Sequence, residues 1–462
     1  MQGMTRLAVG IVLTGWVAAG VTDTDIWGHV RFGLDFLASG HLPWHDPYSF
    51  TSDQAWINHE WLWDVLVGAL YQFGGLTGLL VFRAALAAAF LVVVDRATRR
   101  APAWVRLVTL LAVTLASIGQ WTSTRPQLAT LLLYAITLSS PDAMGLPALF
   151  AVWANLHGGW IMGLGALVVH AVLRPTRRRG LVVVACGLAT LLNPYGFRLW
   201  IGIADAIHRG WADVTEWAPI WWLSTGSAPL FLWVALVLVA AGLSSVVAAD
   251  RPAWIWTGLS LLAAARSRRL LALASITIVA ELMPHWPAAR LVPRSSINGR
   301  VLLAGIVPVG VACWAAVSWL APGRTCFPPA AGLHAPETDA VTFIRDRNIR
   351  GRAVIYFDYG EYAIWHVGDR LSLSIDNRRE TVYSDEVVQA HHRFYRGLDP
   401  EYPARLNADV VWVPRDSVTI EQLETRGWVR RFAGPRSVIL LRQPGALVIG
   451  RESSGSPCFP NP

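Results

Sequence analysis

Long apolar runs separated by short polar segments fill the chain up to about Leu320. A helix needs about 20 apolar residues to cross a bilayer. Eleven runs approach that length, in chain order 6–22, 59–75, 76–95, 104–121, 127–140, 146–173, 181–193, 228–248, 253–265, 268–284 and 300–320. The pattern predicts a polytopic α-helical membrane region of about 11 transmembrane helices. We read the first run as a retained helix rather than as a cleaved signal peptide.

The run at 146–173 is too long for one straight span, and the sequence NLHGG interrupts it. It is either one kinked helix or a re-entrant pair, and the sequence leaves both readings open. The uncertainty matters because each crossing reverses the side of every later loop. The shorter runs, such as 127–140 and 181–193, carry the same ambiguity, so the count holds to within one or two helices.

Basic residues orient the spans, because Lys and Arg are enriched in cytoplasmic loops. The densest basic loop is RPTRRRG at 174–180, which we expect in the cytoplasm. With 146–173 counted as one crossing, the N-terminus is cytoplasmic and the loops 23–58 and 193–227 are extracytoplasmic. Two basic clusters, DRATRR (95–100) and RSRR (266–269), then fall outside, against the rule.

The last third of the chain has a different pattern. ETDAVTFIRDR has helical spacing, and AVIYF, LSLSI, DVVWV and SVILL are short β-rich runs between helical or loop segments. The pattern predicts a transmembrane region at 1–321 and an extracytoplasmic α/β domain at 322–462. Cys326 and Cys458 bracket this domain, and outside the cytoplasm we expect them to form a disulfide rather than to stay as free thiols.

Composition and charge agree with a membrane protein. The chain is 54% hydrophobic and only 15% charged, with a net charge of +8, whereas soluble domains average about 25% charged residues. The basic residues lie mostly at helix ends, which suits topology signals or contacts with lipid phosphates rather than nucleic acid. The 24 Trp residues suit membrane interfaces and sugar-stacking surfaces alike.

The loop after the first run is dense in polar and aromatic side chains. IWGHVRFGLDFLASG spaces its apolar residues as an amphipathic helix, which we expect to lie on the membrane surface. Asp23 and Asp25 directly precede it. Either can be an ordinary helix-end acid, a base that takes a proton from an acceptor hydroxyl, or a ligand of a divalent cation such as Mg²⁺ or Mn²⁺. For the cation, Glu60, His29 or Asp46 would be partner ligands.

The same loop carries the pattern D-x-D-x-W-x-H, then G-x-x-P-x-x-D-x-x-S, then W-x-x-H-E-W-L. Further matching motifs are RPQ (125–127), ANLHGG (154–159), NPYG (193–196), EWAP (216–219) and YGEYAIW…IDNR (359–378). Together these motifs resemble a large family of bacterial multispanning proteins that is similar to the GT-C glycosyltransferases. That class includes oligosaccharyltransferases and protein O-mannosyltransferases, and the resemblance covers most of the chain.

The resemblance implies a polyprenyl-phosphate sugar as donor, inversion at the anomeric carbon and an acid of the first exterior loop as catalyst. This acid falls on Asp25 or Asp23, and we prefer Asp25 because it adjoins the Trp-containing turn. Relatives often have two Trp before the His where this chain has Trp27 and Gly28, which puts sugar stacking there in doubt. The expected substrate cavity comprises Trp27, His29, Asp46, His59, Glu60, His157 and Tyr195, although His157 suits a packed core histidine equally well.

The donor's leaving phosphate needs positive charge, which the planar fork of Arg supplies well. The candidates on the predicted outer face are Arg198, Arg266, Arg268 and Arg269, although an error in topology would place the RSRR arginines in the cytoplasm instead. In the C-terminal domain we expect packing roles or acceptor recognition near strand ends, at Tyr359, Tyr362, Asp376 and Arg378.

The leading interpretation is a glycosyltransferase of the bacterial plasma membrane that passes one sugar to an extracytoplasmic glycan, lipid or protein. Two alternatives remain. A transporter or flippase of polyprenyl-linked glycans would spread polar residues through the membrane interior, often within internal repeats, and no repeat is evident. A non-catalytic protein with a GT-C-like fold would tolerate the change at Gly28.

Overall fold

A computed structural model describes residues 10–15, 20–121, 123–208, 215–223, 226–287, 326–327, 329, 334–443, 445–451 and 457–461. The chain divides into two compact units. The first is Met1–Gly20 with Thr77–Gly323, and the second is Val21–Leu76 with Arg324–Pro462. The second unit therefore contains the predicted α/β domain and, in addition, the whole first loop. The predicted span 300–320 and the parts 6–9 and 16–19 of the span 6–22 lie outside the described residues.

Most of the described helices up to residue 277 follow the apolar runs, and two, at 26–39 and 198–208, lie in the loops between runs. In chain order the helices are α1 (Ile26–Ser39), α2 (Trp61–Ala97), α3 (Ala103–Trp121), α4 (Gln127–Ser139), α5 (Leu146–Leu156), α6 (Trp160–Leu173), α7 (Arg177–Ala189), α8 (Arg198–His208), α9 (Ala228–Ser244), α10 (Arg251–Arg266) and α11 (Leu271–Thr277). Gly75 breaks α2 with φ 54° and ψ −146°, a conformation that favours glycine. The break falls where the sequence separates 59–75 from 76–95.

Two of these helices, α2 and α3, are long and apolar enough to cross a membrane, as judged by length and composition over the described residues. Four more apolar helices are shorter, namely α4, α5, α6 and α9. The 146–173 run is indeed broken at NLHGG, between α5 and α6. The count of about 11 transmembrane helices stays a prediction.

Polar contacts tie one end of the helical unit together. The Arg179 guanidinium donates to both oxygens of Asp142, at 2.7 and 2.9 Å, and Arg174 pairs with Asp250 at 2.6 Å. The Arg100 guanidinium donates to the carbonyl of Pro284 at 2.8 Å. The basic clusters 95–100 and 174–180 therefore belong to the loops at this end. Since Asp142 precedes the 146–173 run and Arg174 follows it, both flanks of that run lie together, as in the re-entrant alternative.

A second set of contacts joins the opposite helix ends. Arg125 pairs with Glu216 at 3.0 Å, and the Arg269 guanidinium lies 5.0 Å from the ring centroid of Trp217. The Gln120 amide donates to the Arg269 carbonyl at 2.8 Å. The 19 residues of α3 span about 28 Å between these two sets of contacts.

Counted along the predicted runs, the loop with Arg125 falls on the cytoplasmic face and EWAP on the outer face. The contact between Arg125 and Glu216 shows that this part of the orientation count is wrong. The physical reason is that two runs were each counted as a single crossing. The 146–173 run starts and ends at the same end of the bundle, and the whole 59–75 run belongs to the second unit.

A six-stranded sheet forms the centre of the second unit. Its strands are β1 (Gly351–Ile355), β2 (Leu371–Leu373), β3 (Val410–Pro414), β4 (Val429–Ala433), β5 (Ser437–Leu441) and β6 (Val448–Ile449), in the order β2-β1-β3-β5-β4-β6. The β2-β1-β3 part is parallel, and β5 runs antiparallel to β3 and β4. The sequence predicts β1, β2, β3 and β5, and it misses β4 and β6. The outer position of β6 and the arginines in β4 explain the weak apolar pattern of these two strands.

Helices α12 (Thr338–Asp346), α13 (Gly360–Val367), α14 (Arg379–Val382), α15 (Asp385–Tyr395), α16 (Tyr402–Arg405) and α17 (Thr419–Glu424) connect these strands. The apolar core beside the sheet contains Val354, Phe394, Val411, Leu423 and Trp428. Burial of such side chains provides the main driving force for folding of this unit.

The first loop is part of this fold. The backbone at Tyr48 and Phe50 bonds to Leu373 of β2, at 3.1 and 2.9 Å. The Thr22 hydroxyl donates to the Phe327 carbonyl at 2.7 Å and accepts the Phe459 N–H at 3.0 Å. Beside them, the predicted disulfide joins Cys326 to Cys458, with their Cα atoms 5.4 Å apart. In the chain-entropy model a loop of this length contributes about 4–5 kcal/mol.

The helix predicted for IWGHVRFGLDFLASG is present as α1, but its apolar face packs on protein. It contacts α13, and its Gly33 lies against α2, where a Cβ on Gly33 would stand 1.9 Å from the Asp64 carbonyl oxygen. Ile26, Trp27 and Val30 are buried. The prediction that the apolar face of α1 lies on the membrane surface is therefore wrong, because α13, from the C-terminal part of the chain, packs on α1.

Candidate functional site

The two acids at the start of α1 have different tasks. Asp23 is 7% exposed, and its Oδ1 accepts the backbone N–H of Ile26 at 3.1 Å. The first N–H groups of a helix need such acceptors, so Asp23 acts as a helix cap. Asp25 is half-buried, and its Oδ1 accepts from the Asn377 amide and the Thr24 hydroxyl, each at 2.8 Å. Asn377 and Thr24 orient the Asp25 carboxylate beside the helix N-terminus.

Further carboxyl groups surround Asp25. Glu361 in α13 is 4% exposed, and its Oε2 has no hydrogen-bond partner among the described residues. Burial, followed by the charges of Asp25 and Asp376, raises the pKa of Glu361 well above its usual value. Burial also raises the pKa of Asp358 to about 6, where the charge of His334 lowers it and that of Asp25 raises it. The raised pKa of Glu361 favours its neutral form, which weakens the like-charge repulsion between this carboxyl and Asp25.

The contacts of Glu361 explain why a glycine is present at position 28. A Cβ on Gly28 would stand 2.2 Å from Oε2 of Glu361, well inside van der Waals contact. The departure from the tandem-Trp pattern of the relatives therefore coincides with a buried carboxyl that needs the space. The change removes a side chain beside Trp27 in order to accommodate Glu361.

We expect Gly28→Ala to lower the free energy of unfolding by about 1–3 kcal/mol, because an overpacked core strains its neighbours. Glu361→Ala should suppress this loss when the two changes are combined, as measured in a double-mutant cycle by thermal unfolding in detergent. Gly187→Ala is the matched control, since a Cβ on this helical glycine meets nothing within 4 Å. Equal losses from Gly28→Ala with and without Glu361 would contradict the steric explanation.

His29 forms an ion pair inside the second unit. Its Nδ1 lies 2.7 Å from Oδ1 of Asp64, and the Asn58 amide donates to the other Asp64 oxygen at 2.8 Å. Burial alone would lower the pKa of His29, but the hydrogen bond and charge of Asp64, with the charges of Glu60 and Asp25, raise it to about 9. His29 is therefore a fixed cation beside the acid cluster at neutral pH.

This pair makes stability depend on pH in a defined direction. Because the folded pKa of His29 is raised from 6.5 to about 9, its contribution is full below about pH 6.5 and disappears as the pH rises through about 9. We expect the difference in unfolding midpoint between wild type and His29→Gln to shrink over that interval. Midpoints measured in detergent at several pH values test this, and a constant difference would refute the assignment.

The predicted cation site lacks a third ligand. The charges of Glu60 and Asp25 both raise the pKa of His29. His59 Nε2 lies 3.5 Å from a Glu60 oxygen. Among the described residues no group of three or more His, Cys, Asp or Glu side chains has the arrangement of a metal site. A divalent cation at this place stays a prediction.

Two predicted contact residues are packed too deeply to touch a substrate. Trp27 and Tyr362 are both 0% exposed, and their rings meet edge to face at a centroid distance of 5.1 Å. Such contacts stabilise the crossing of α1 and α13. Trp27 is predicted to line the substrate cavity, and Tyr362 is a candidate for acceptor recognition. In the structure both side chains pack inside the second unit.

Asp46, Asp376 and Arg378 form a buried ion network. The Arg378 guanidinium donates to Asp46 at 2.8 Å and to both Asp376 oxygens, at 2.9 and 2.5 Å. The two carboxylates are 0% exposed at their side chains. The guanidinium also lies within 5.1 Å of three ring centroids, those of Phe32, Tyr48 and Trp56. The roles in the cavity and in acceptor recognition are therefore corrected: this network attaches the first loop to the end of β2.

In the helical unit, two predicted residues serve the local fold. His157 Nδ1 accepts the Gly159 N–H at 3.0 Å and lies 2.8 Å from the Thr130 hydroxyl, which stabilises the break at NLHGG. Tyr195 is 8% exposed, in the turn before α8. The core-histidine alternative therefore describes His157 better than a cavity wall.

The four candidate arginines separate into two kinds. Arg268 donates from its side chain to the carbonyls of Pro219 and Trp222, so it holds that segment in place. Arg269 stacks on Trp217. Arg266 and Arg198 are exposed, at the end of α10 and the start of α8.

Sequence reasoning missed three groups that accompany Asp25, namely Asn377, Glu361 and Asp358. Asn377 and Glu361 lie within the motif YGEYAIW…IDNR, and Asp358 precedes it. The motif was the available signal. Its link to the first loop needs a contact across 352 residues between Asn377 and Asp25, which no local pattern reports.

No protein-family model and no curated protein matches the chain. Among solved structures, the chain is similar to the cryo-EM structure of the arabinofuranosyltransferase AftD from Mycobacteria, with 15% sequence identity and a TM-score of 0.49. The alignment covers 96% of this chain and 42% of AftD, so the chain spans less than half the length of that protein. The residues of this chain therefore carry the functional proposal.

Proposed function

We propose that the protein is a membrane glycosyltransferase that moves a sugar from a polyprenyl-phosphate donor to an extracytoplasmic acceptor, with inversion. The observation that carries the proposal is the setting of Asp25: a half-buried carboxylate, oriented by Asn377, among carboxyl groups with raised pKa values. The resemblance of the loop motifs to GT-C enzymes supports the same acid.

The chemistry assigns Asp25 the role of base. The acceptor hydroxyl must lose a proton as its oxygen attacks the anomeric carbon, and a positioned carboxylate accepts it. The Asn377 amide and the Thr24 hydroxyl both donate to Oδ1, so they hold the carboxylate in one orientation. The donor's bond to phosphate breaks on the opposite face of the sugar, which accounts for inversion.

The departing phosphate is already anionic and needs positive charge rather than a proton. We assign this task to Arg266 and Arg269, with Arg198 as a further candidate. Support comes from the convergence of Arg125, Arg269 and the EWAP segment at one end of the helical unit. Arg268 is engaged with backbone carbonyls and serves that segment instead.

The hydropathy and the distribution of arginine support a location in the bacterial plasma membrane. The helical end that carries the 95–100 and 174–180 clusters is cytoplasmic in this proposal, which brings DRATRR into agreement with the positive-inside rule. The EWAP end and the second unit are extracytoplasmic. The disulfide in the second unit supports this assignment, because such bonds persist outside the cytoplasm.

Lipid and glycan profiling of a deletion strain tests the function. We expect the loss of one sugar substituent from an envelope glycan, lipid or protein, together with accumulation of the unused polyprenyl-phosphate sugar. Restoration by the wild-type gene but not by Asp25→Asn attributes the loss to catalysis. A complete, lipid-linked glycan stalled on the cytoplasmic side would identify a flippase, and an unchanged profile would indicate a non-catalytic protein.

A further inference from the structure

The second unit contains a cavity of about 570 Å³, and none of the residues assigned to proton transfer or phosphate binding above lines it. It lies at the carboxyl end of β3 and is lined by His334, Ala335, Tyr359, Pro414, Arg415, Asp416, Pro435 and Arg436. Tyr359 and Ala335 are buried and form its floor, whereas His334, Arg415 and Asp416 are exposed at its rim. The carboxyl ends of parallel strands are common ligand sites in α/β sheets.

The walls of this cavity are held in place by buried polar contacts. The Glu337 carboxylate is 0% exposed, accepts the Arg436 N–H at 3.2 Å and lies 3.2 Å from the Ser437 hydroxyl. The Tyr359 hydroxyl donates to the Arg436 carbonyl at 3.3 Å, and the Arg415 N–H donates to the same carbonyl at 2.9 Å. The backbone that carries both arginines is therefore fixed before a ligand arrives, which lowers the entropy cost of binding.

The charge of the rim favours an anion. The lining carries two guanidinium groups, Arg415 and Arg436, the His334 imidazole and one exposed carboxylate, Asp416. The buried Glu337 carboxylate behind the wall also interacts with the charge of Arg436, and burial raises the pKa of Glu337. Guanidinium groups bind carboxylates and phosphates through paired N–H donors. The volume accommodates about one or two sugar rings, within the usual range of ligand pockets.

Electrostatic coupling connects this cavity to the proposed catalytic acid. The charges of both His334, at the cavity rim, and Asp25 shift the pKa of Asp358. The fold brings the same segment to the first loop, because Oε2 of Glu361, two residues after Tyr359, lies 2.2 Å from where a Cβ on Gly28 would stand, and Gly28 is in the first turn of α1, which begins directly after Asp25. Tyr359 follows Asp358 directly and forms the floor.

We propose that this cavity binds an anionic sugar of the acceptor, one that carries a carboxylate or a phosphate, and thereby presents a neighbouring hydroxyl to Asp25. The inference rests on the proposed function and adds the chemical class of the acceptor. Arg415 and Arg436 bind the anionic group, and Asp416 limits the affinity by repulsion.

Direct binding to the full-length protein in detergent tests the proposal without a transfer assay. The probes are glucuronate, glucose 6-phosphate, glucose and inorganic phosphate, followed by ligand-observed NMR. We expect one or both anionic sugars to bind at least about tenfold more tightly than glucose and than phosphate alone. Arg415→Gln should weaken that binding about tenfold, and Asp416→Asn should strengthen it, because charged hydrogen bonds dominate the recognition.

Arg430→Ala is the matched control, because this arginine pairs with Glu424 on an exposed surface, and its binding should equal that of wild type. Equal affinity for all three sugars, phosphate binding as tight as that of the anionic sugars, or no effect of Arg415→Gln would overturn the inference. These outcomes are independent of transfer. If the anionic sugars do not bind but Asp25→Asn abolishes transfer, only the proposed acceptor site in this cavity is refuted. If Asp25→Asn transfers sugar normally, the proposed function is refuted.

Discussion

Asp25→Asn is expected to lower the rate of sugar transfer by at least about 100-fold, because an amide accepts no proton from the attacking hydroxyl. The substitution conserves the size of the side chain, and Asn Oδ1 can still accept from Asn377 and Thr24. Folding and donor binding should therefore be almost unchanged. The measurement is transfer from a radiolabelled polyprenyl-phosphate sugar pool in membranes, with the purified variant compared by thermal unfolding.

Two neighbouring acids provide controls for this result. Asp35→Asn removes a half-exposed partner of Arg31 in the same helix and should leave transfer unchanged. Asp23→Ala should reduce stability through loss of the helix cap rather than abolish transfer selectively. Full activity of Asp25→Asn in folded protein would exclude this residue as the base and would remove the main support for the enzyme.

The largest loss of stability is expected from Arg378→Met. The substitution leaves the carboxylates of Asp46 and Asp376 buried without their cation, and breaking a buried pair in this way costs about 3–5 kcal/mol. The three rings around the guanidinium would also lose their cation–π contacts. The measurement is chemical or thermal unfolding of the purified protein, monitored by the fluorescence of its Trp residues.

The comparison variant is Arg405→Ala. Arg405 pairs with Asp399 at a surface position where the Arg side chain is 55% exposed, and such pairs contribute at most about 1 kcal/mol. If both substitutions cost the same, Arg378 does not attach the first loop to the sheet. A folded Arg378→Met protein with normal stability and lost transfer would instead restore the role of Arg378 in acceptor recognition.

Much of the secondary structure is readable from local pattern. Apolar runs of helical length mark α3, α4, α9 and α10. Short continuous apolar runs rich in β-branched residues mark β1 and β3, because these strands are buried on both faces. Glycine marks the break in α2. The cysteine pair is also readable, since the two residues bracket a domain expected in an oxidising compartment.

The orientation of the helices is not readable in this way. Whether a broken run crosses the membrane or returns depends on which loops meet, and those contacts join residues far apart in the chain, such as Asp142 with Arg179 and Arg125 with Glu216. The basic clusters alone gave the loops between the two miscounted runs the wrong side, because a miscounted crossing reverses the side of every loop up to the next miscounted one.

The acids of the first loop show the same division most clearly. Local pattern establishes that Asp23 and Asp25 begin a helix and that a carboxylate there is chemically useful. Only long-range contacts distinguish the helix cap from the oriented carboxylate, surround Asp25 with Asn377 and Glu361, and explain Gly28 by the space that Glu361 occupies. The physical reason is that periodicity reports which face is buried, whereas hydrogen bonds, charge coupling and steric fit depend on partners that folding brings together from distant parts of the chain.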